Sequence, residues 1–245
     1  QGPLPREFGP ALDFPLSGSP KGLVSLPADG RVGGAPGELF VALRDAQRIQ
    51  RLVVAGGALV AKAELDSAPV GLGAPYSLAA LDLGGDGFVD LVVGEDNVGS
   101  DRLLEFRRDA GGFLAARVLL DGLAQPIVEA TGDMDANGFE DLAIAQLESS
   151  EVRLLPGTAA GLAAGVTLDF GGETTSLLFA DLDGDGLAEA MGTVFLQESL
   201  QVRRGVAPFT FGPPTHYNVG VGPRALGVVS LPGDGARDLL CANAQ

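Results

Sequence analysis

A nine-residue acidic run, Asp181-Leu182-Asp183-Gly184-Asp185-Gly186-Leu187-Ala188-Glu189, constrains this chain more than any other stretch. Carboxylates stand at its first, third and fifth places, the backbone turns at a glycine, and another carboxylate arrives at the ninth. A hard cation takes six to eight oxygens at about 2.3–2.6 Å, and a short loop converges that many only if its side chains alternate inward around a glycine turn. The pattern points to calcium. A helix-loop-helix calcium site has a twelve-residue loop closed by a bidentate glutamate between two helices. Here the flanks, Ser176 to Ala180 and Glu189 to Val194, are short apolar runs rich in strand formers, so a hairpin is the expected setting.

The run recurs. Asp133-Met134-Asp135-Ala136-Asn137-Gly138-Phe139-Glu140-Asp141 matches it with Asn137 in the fifth place, and Asp82-Leu83-Gly84-Gly85-Asp86-Gly87-Phe88-Val89-Asp90 has Gly84 where the third carboxylate would be. Two copies are eroded. The stretch from Ser230 keeps Asp234 and Asp238, and the stretch from Ser25 keeps Asp29, with Glu38 arriving late after a Gly/Pro insertion. The five first positions, 25, 82, 133, 181 and 230, are 57, 51, 48 and 49 residues apart. A period near fifty residues with several strands per unit predicts propeller blades.

One repeat architecture over residues 1–245 is therefore expected, with whole units at about 22–70, 71–121, 122–172 and 173–221. The fifth, 222–245, supplies an inner strand, a loop and a second strand, and residues 1–20 read as the outer strand of a blade. The expected fold is all-β: a propeller of about five four-stranded blades, the last shared between the termini, or a partial ring from a larger propeller. Within each unit the small apolar first strand, such as Ser77 to Leu81, is expected to be buried on both faces, and the charged third, Arg102 to Arg107, to lie farther out. The outer strands are expected near 113–120 and 162–169.

Composition narrows the function. With 37 Gly and 16 Pro among 245 residues the chain has the turn density that many short strands require. A net charge of −16 weighs against nucleic acid, whose phosphates demand clustered Lys and Arg. No apolar run approaches the roughly 18 residues of a membrane span. Cys241 is a single cysteine, so no internal disulfide is expected, and its place in the second strand suggests a buried apolar thiol. His216 is the only histidine and falls in an outer strand, a poor place for a hydrolytic base. With no Walker-type phosphate loop and no Cys/His cluster, an enzyme is not expected.

These acidic loops between strands, with Phe8-Gly9-Pro10 or Gly112-Phe113 opening the outer strand, resemble the FG-GAP/VCBS repeats of integrin α-subunit propellers and bacterial extracellular proteins. The resemblance implies calcium ligands at Asp133, Asp135, Asn137 and Asp141 with the carbonyl of Phe139, and at Asp181, Asp183, Asp185 and Glu189 with the carbonyl of Leu187. In the copy that lacks the third carboxylate it implies Asp82, Asp86 and Asp90 with the carbonyl of Phe88. It also implies an extracellular or cell-surface protein acting as a binding or adhesion scaffold for a protein or glycan ligand. Two alternatives stay open. One is a structural subunit assembling head to tail through the incomplete terminal blade; the other is a polysaccharide-active enzyme.

Overall fold

The computed structural model describes residues 14–55, 58–96, 101–230 and 237–244, and within them the chain is a succession of small antiparallel sheets. The first is β1 (Pro20–Pro27), β2 (Pro36–Leu43), β3 (Arg48–Ala55) and β4 (Ala58–Ala61), paired in that order. The second unit comprises β5 (Pro75–Leu81), β6 (Asp90–Glu95), β7 (Asp101–Phe106), a two-residue hairpin of β8 (Arg108–Asp109) and β9 (Gly112–Phe113), and β10 (Arg117–Leu123). The third repeats it with β11 (Pro126–Gly132), β12 (Asp141–Gln146), β13 (Glu151–Leu155), the hairpin β14 (Gly157–Thr158) and β15 (Gly161–Leu162), and β16 (Val166–Asp169). The fourth is β17 (Thr174–Ala180), β18 (Glu189–Val194), β19 (Ser199–Ala207) and β20 (Thr210–Asn218), and the last pair is β21 (Pro223–Val229) and β22 (Asp238–Asn243). A 3-10 turn at Phe195–Gln197 is the sole helical element among the described residues.

The second strand of each complete unit is the centre of its burial. In β6 and β12 every residue is buried, because both sheet faces are covered and alternate side chains enter different cores. Leu91 and Val93 pack with Leu26, Phe40 and Phe106 between the first and second sheets, while Val92 turns the other way to meet Leu81, Leu142 and Ile144. Along β12, Leu142 and Ile144 face the second sheet, and Ala143 and Ala145 face Phe170, just past β16, with Leu177 and Val194 of the fourth unit. First strands pack in series, β1 on β5, β5 on β11, β11 on β17 and β17 on β21. Their hydroxyls help tie the series: Ser77 Oγ donates to the Pro126 carbonyl at 3.3 Å and Thr175 Oγ1 to that of Pro223 at 2.7 Å.

Three expectations need correction. The first strand is not buried on both faces; β5 alternates buried and half-buried residues because it forms a sheet edge, and the fully enclosed place belongs to the second strand. The third strand is not peripheral, since Leu103 to Phe106 are buried. The outer strands begin later than 113 and 162, at Arg117 and Val166, because the small hairpins at β8–β9 and β14–β15 take up the residues before them. Cys241 is half-buried, on a strand that among the described residues is paired along one side only, and the thiol lies 3.6 Å from Asn243 Oδ1. The expected outer strand at residues 1–20 falls largely on 1–13, and most of the last acidic loop on 231–236, both outside the described residues.

Candidate metal centre

The acidic runs lie where the sequence places them, in the hairpins joining first to second strands. In three of them the register is the same: Leu81 pairs with Asp90, Gly132 with Asp141 and Ala180 with Glu189, so the ninth residue always opens the second strand. That carboxylate is buried and accepts two backbone N–H bonds. One comes from the loop's second residue, Leu83 at 2.9 Å, Met134 at 2.6 Å or Leu182 at 2.7 Å. The other comes from just past the third strand, Arg108 at 2.6 Å or Gly157 at 2.6 Å, or, in the fourth unit, from late within it, Gly205 at 3.3 Å.

The first and fifth residues are also occupied in shaping the loop. Asp82 accepts from the N–H groups of Asp86 and Gly87, Asp133 from those of Asn137 and Gly138, and Asp181 from those of Gly184 and Gly186. Asp86, Asn137 and Asp185 each accept from the residue two ahead, Phe88, Phe139 or Leu187. The third residue adds one bond to this scaffold, Asp135 accepting the Asn137 N–H at 3.1 Å and Asp183 that of Asp185 at 3.2 Å. The Asp82 loop nevertheless keeps the turn with Gly84 there, so a carboxylate at that place is not required to form it.

Two clusters of ligating oxygens result, Asp133 with Asp135 and Asp141, and Asp181 with Asp183 and Glu189, each with its atoms within 4.8 Å of one another. Two oxygens on one ion at about 2.3–2.6 Å can be at most about 4.6–5.2 Å apart, so each trio can reach a single hard cation. Asp185 lies outside its trio, and Asp82, Asp86 and Asp90 form no such cluster. Asn137 Nδ2 donates to the Gly157 carbonyl at 3.0 Å and to Asp135 Oδ2 at 3.2 Å, which fixes the amide beside the first trio. Burial raises the Asp141 carboxyl above its ordinary range against the pull of its two N–H donors, and the charges of Asp135 and Asp133 raise it further.

Arginines are what sequence reasoning missed. Arg204 holds both Asp183 Oδ2, at 2.9 Å, and Asp185 Oδ2, at 3.0 Å. The Leu187 N–H, and after it this guanidinium, keep the Asp185 carboxyl below its usual range. Arg107 occupies the equivalent place in the second unit, with Nε 3.5 Å from Asp90, and its Nη2 lies 3.1 Å from where a Cβ on Gly84 would stand. In the first unit Arg108 reaches back to Glu38 at 3.0 Å, and Arg51 pairs with the same carboxylate. Arg108 and Glu38 are both buried. A signal existed in Arg107 and Arg204, which stand near the ends of their third strands at the place where the third unit has Pro156.

Neighbouring loops touch. Glu140 accepts the Asp82 N–H, the Phe139 ring packs over Gly85, and Arg31 bridges to Phe88 with its guanidinium 4.7 Å from the ring centre. A cleft of about 160 Å³ separates the two carboxylate trios, lined among others by Asp133, Phe179 and Asp181. His216 is exposed opposite Gln201 on β20.

No protein-family model matches the chain, and no curated protein does. Solved structures do. A functionally unknown protein from Desulfotomaculum acetoxidans DSM 771 superposes with a TM-score of 0.56 at 12% identity, over 88% of this chain and 61% of that one. BBS1N, crystallised in complex with ARL6DN and soaked with lead, gives 0.57 at 16% identity, over 98% of this chain and 64% of that one. The V. cholerae biofilm matrix protein Bap1 gives 0.54 at 19% identity, over 91% of this chain and 34% of that one. The chain spans less than two thirds of each, and at these identities the likeness is one of fold.

Proposed function

We propose that this chain is a calcium-binding β-propeller unit of the FG-GAP/VCBS kind, serving outside the cell as a scaffold that binds a protein or glycan ligand. The observation that carries the metal part is the Asp133, Asp135 and Asp141 trio, whose oxygens converge within reach of one ion. Among the described residues no Arg or Lys pairs with any of the three. A donor set made of carboxylate and amide oxygens suits a hard cation such as calcium, not zinc or copper. The ion would supply charge neutralisation, drawing together loop carboxylates that otherwise repel, and would stiffen a rim on which a ligand docks. Serial packing of near-identical four-stranded sheets supports the propeller reading.

The test is thermal unfolding of the full chain with calcium and with chelator. A ligand that binds only the folded form at 100 times its Kd adds about 2.7 kcal/mol, which for a chain of this size raises Tm by about 5–11 °C. Unchanged melting in chelator would reject the metal assignment. Glycan-array binding without glycan cleavage separates a scaffold from a polysaccharide-active enzyme.

A further inference from the structure

The four described loops are not equally short of positive charge. Beneath the most eroded one, the Arg108 guanidinium fits so closely that a Cβ on Gly30 would overlap it, and it pairs with Glu38, a buried carboxylate at the third residue of β2, two places farther into the strand than Asp90, Asp141 and Glu189 stand in theirs. In the second unit, Arg107 lies beside the gap left at Gly84 and next to Asp90. Where the fourth unit has Arg204 astride Asp183 and Asp185, the third has Pro156. Arg107, Pro156 and Arg204 are structural equivalents, each directly preceding the residue whose N–H reaches the ninth carboxylate.

We infer that arginine side chains take the place of the divalent cation in this chain, leaving the Asp133 loop as the one high-affinity calcium site among the four described loops and making Arg204 the determinant that weakens the Asp181 loop. The inference rests on the calcium reading above and narrows it from two comparable sites to one strong and one guarded. Calcium at the Asp181 loop must displace Arg204 from Asp183, a residue of that trio. The first two loops, already held by guanidinium, have no use for an ion.

Calcium titration calorimetry on the full chain tests this, with R204Q, P156R and D135N alongside. Arg204 is largely exposed, so R204Q keeps the fold, and circular dichroism checks it. The wild type is expected to take up one strongly bound ion, which D135N abolishes. R204Q should tighten a second site by about two- to thirtyfold, the range two exposed ion pairs span, while P156R should weaken the first. In chelator R204Q should melt lower than the wild type, and in saturating calcium the gap should close, a reversal that a purely structural arginine would not show. Two equal sites in the wild type, or an R204Q titration identical to the wild type, would overturn the inference and leave the calcium reading standing. No uptake by either protein would remove both.

Discussion

Set side by side, the Ser25 to Glu38 loop and the Asp133 to Asp141 loop show two solutions to one electrostatic problem. Each ends on a buried carboxylate in the second strand, Asp141 at its first residue and Glu38 at its third. In the first, protein cations neutralise it: Arg108 and Arg51 converge on Glu38, and Asp29 is left to turn the loop by accepting the Arg31 N–H at 3.0 Å. In the third, Asp133 and Asp135 bring more negative charge toward Asp141, and among the described residues no arginine answers it. In the second, third and fourth units the ninth carboxylate keeps its place whether or not an arginine answers its loop, because backbone N–H groups, not the ion, hold it.

The sharpest way to break this contrast is R108A. It leaves Glu38 buried with one partner and opens space beneath Gly30, a change that costs about 3–5 kcal/mol, or roughly 6–20 °C in Tm. The loss should be equal in calcium and in chelator. A loss seen only with calcium present would mean that this loop too depends on an ion.

D135A comes next, with the opposite signature. Gly84 shows that the turn forms without the third carboxylate, and the two exposed bonds that Asp135 accepts from Asn137 are offset by relief of its repulsion with Asp141, so in chelator D135A should melt within about 2 °C of the wild type. In calcium it should lose the increment of about 2.7 kcal/mol expected at 100 times Kd. Equal destabilisation in both buffers would show Asp135 to be a scaffold residue.

The reason D135A is clean also marks what the sequence could and could not disclose. Alternating carboxylates and the near-fifty-residue period located the hairpins, and strands such as Asp141–Gln146 and Glu151–Leu155 fall where the apolar runs place them. Burial of the second strand was harder to see, since Leu91-Val92-Val93 and Ser77 to Leu81 are both short apolar runs, and only sheet order decides which is enclosed on two faces. The arginines were hidden for another reason. Arg108 lies 70 residues from Glu38, and Arg204 lies 19 from Asp185, so neither pairing belongs to the local periodicity that a repeat exposes.

Asp90 tests the intermediate case by pH. Burial pushes its carboxyl from the ordinary 3.8 up to about 6, against the N–H bonds from Arg108 and Leu83 and the charge of Arg107. The folded chain then holds a proton between about pH 6 and 3.8 that the unfolded chain lacks. Its stabilising contribution is therefore complete below 3.8 and lost as pH rises through about 6. In chelator the stability of D90N, compared with wild type between pH 7.5 and 5, should lack up to one proton of slope, about 1.4 kcal/mol per pH unit. Parallel slopes would show that Asp90 is ionised throughout.

The smallest effect separates the third and fourth loops by backbone alone. At the fourth place Gly184 has φ of 80° and Gly85 has 69°, but the third loop puts Ala136 there at 59°. A Cβ in the left-handed region costs about 1–2 kcal/mol, partly offset because alanine restricts the unfolded chain by about 0.4–1 kcal/mol more than glycine. A136G should accordingly stabilise the protein by about 0.5–1 kcal/mol, a rise in Tm of about 1–4 °C, and G184A should lower it by a similar amount. Because Ala136 is exposed and its side chain is not a ligand, the gain should persist in chelator. A gain confined to calcium would place the strain in the ion-bound loop, and a loss would mean that the methyl group contributes a contact worth more than the strain it imposes.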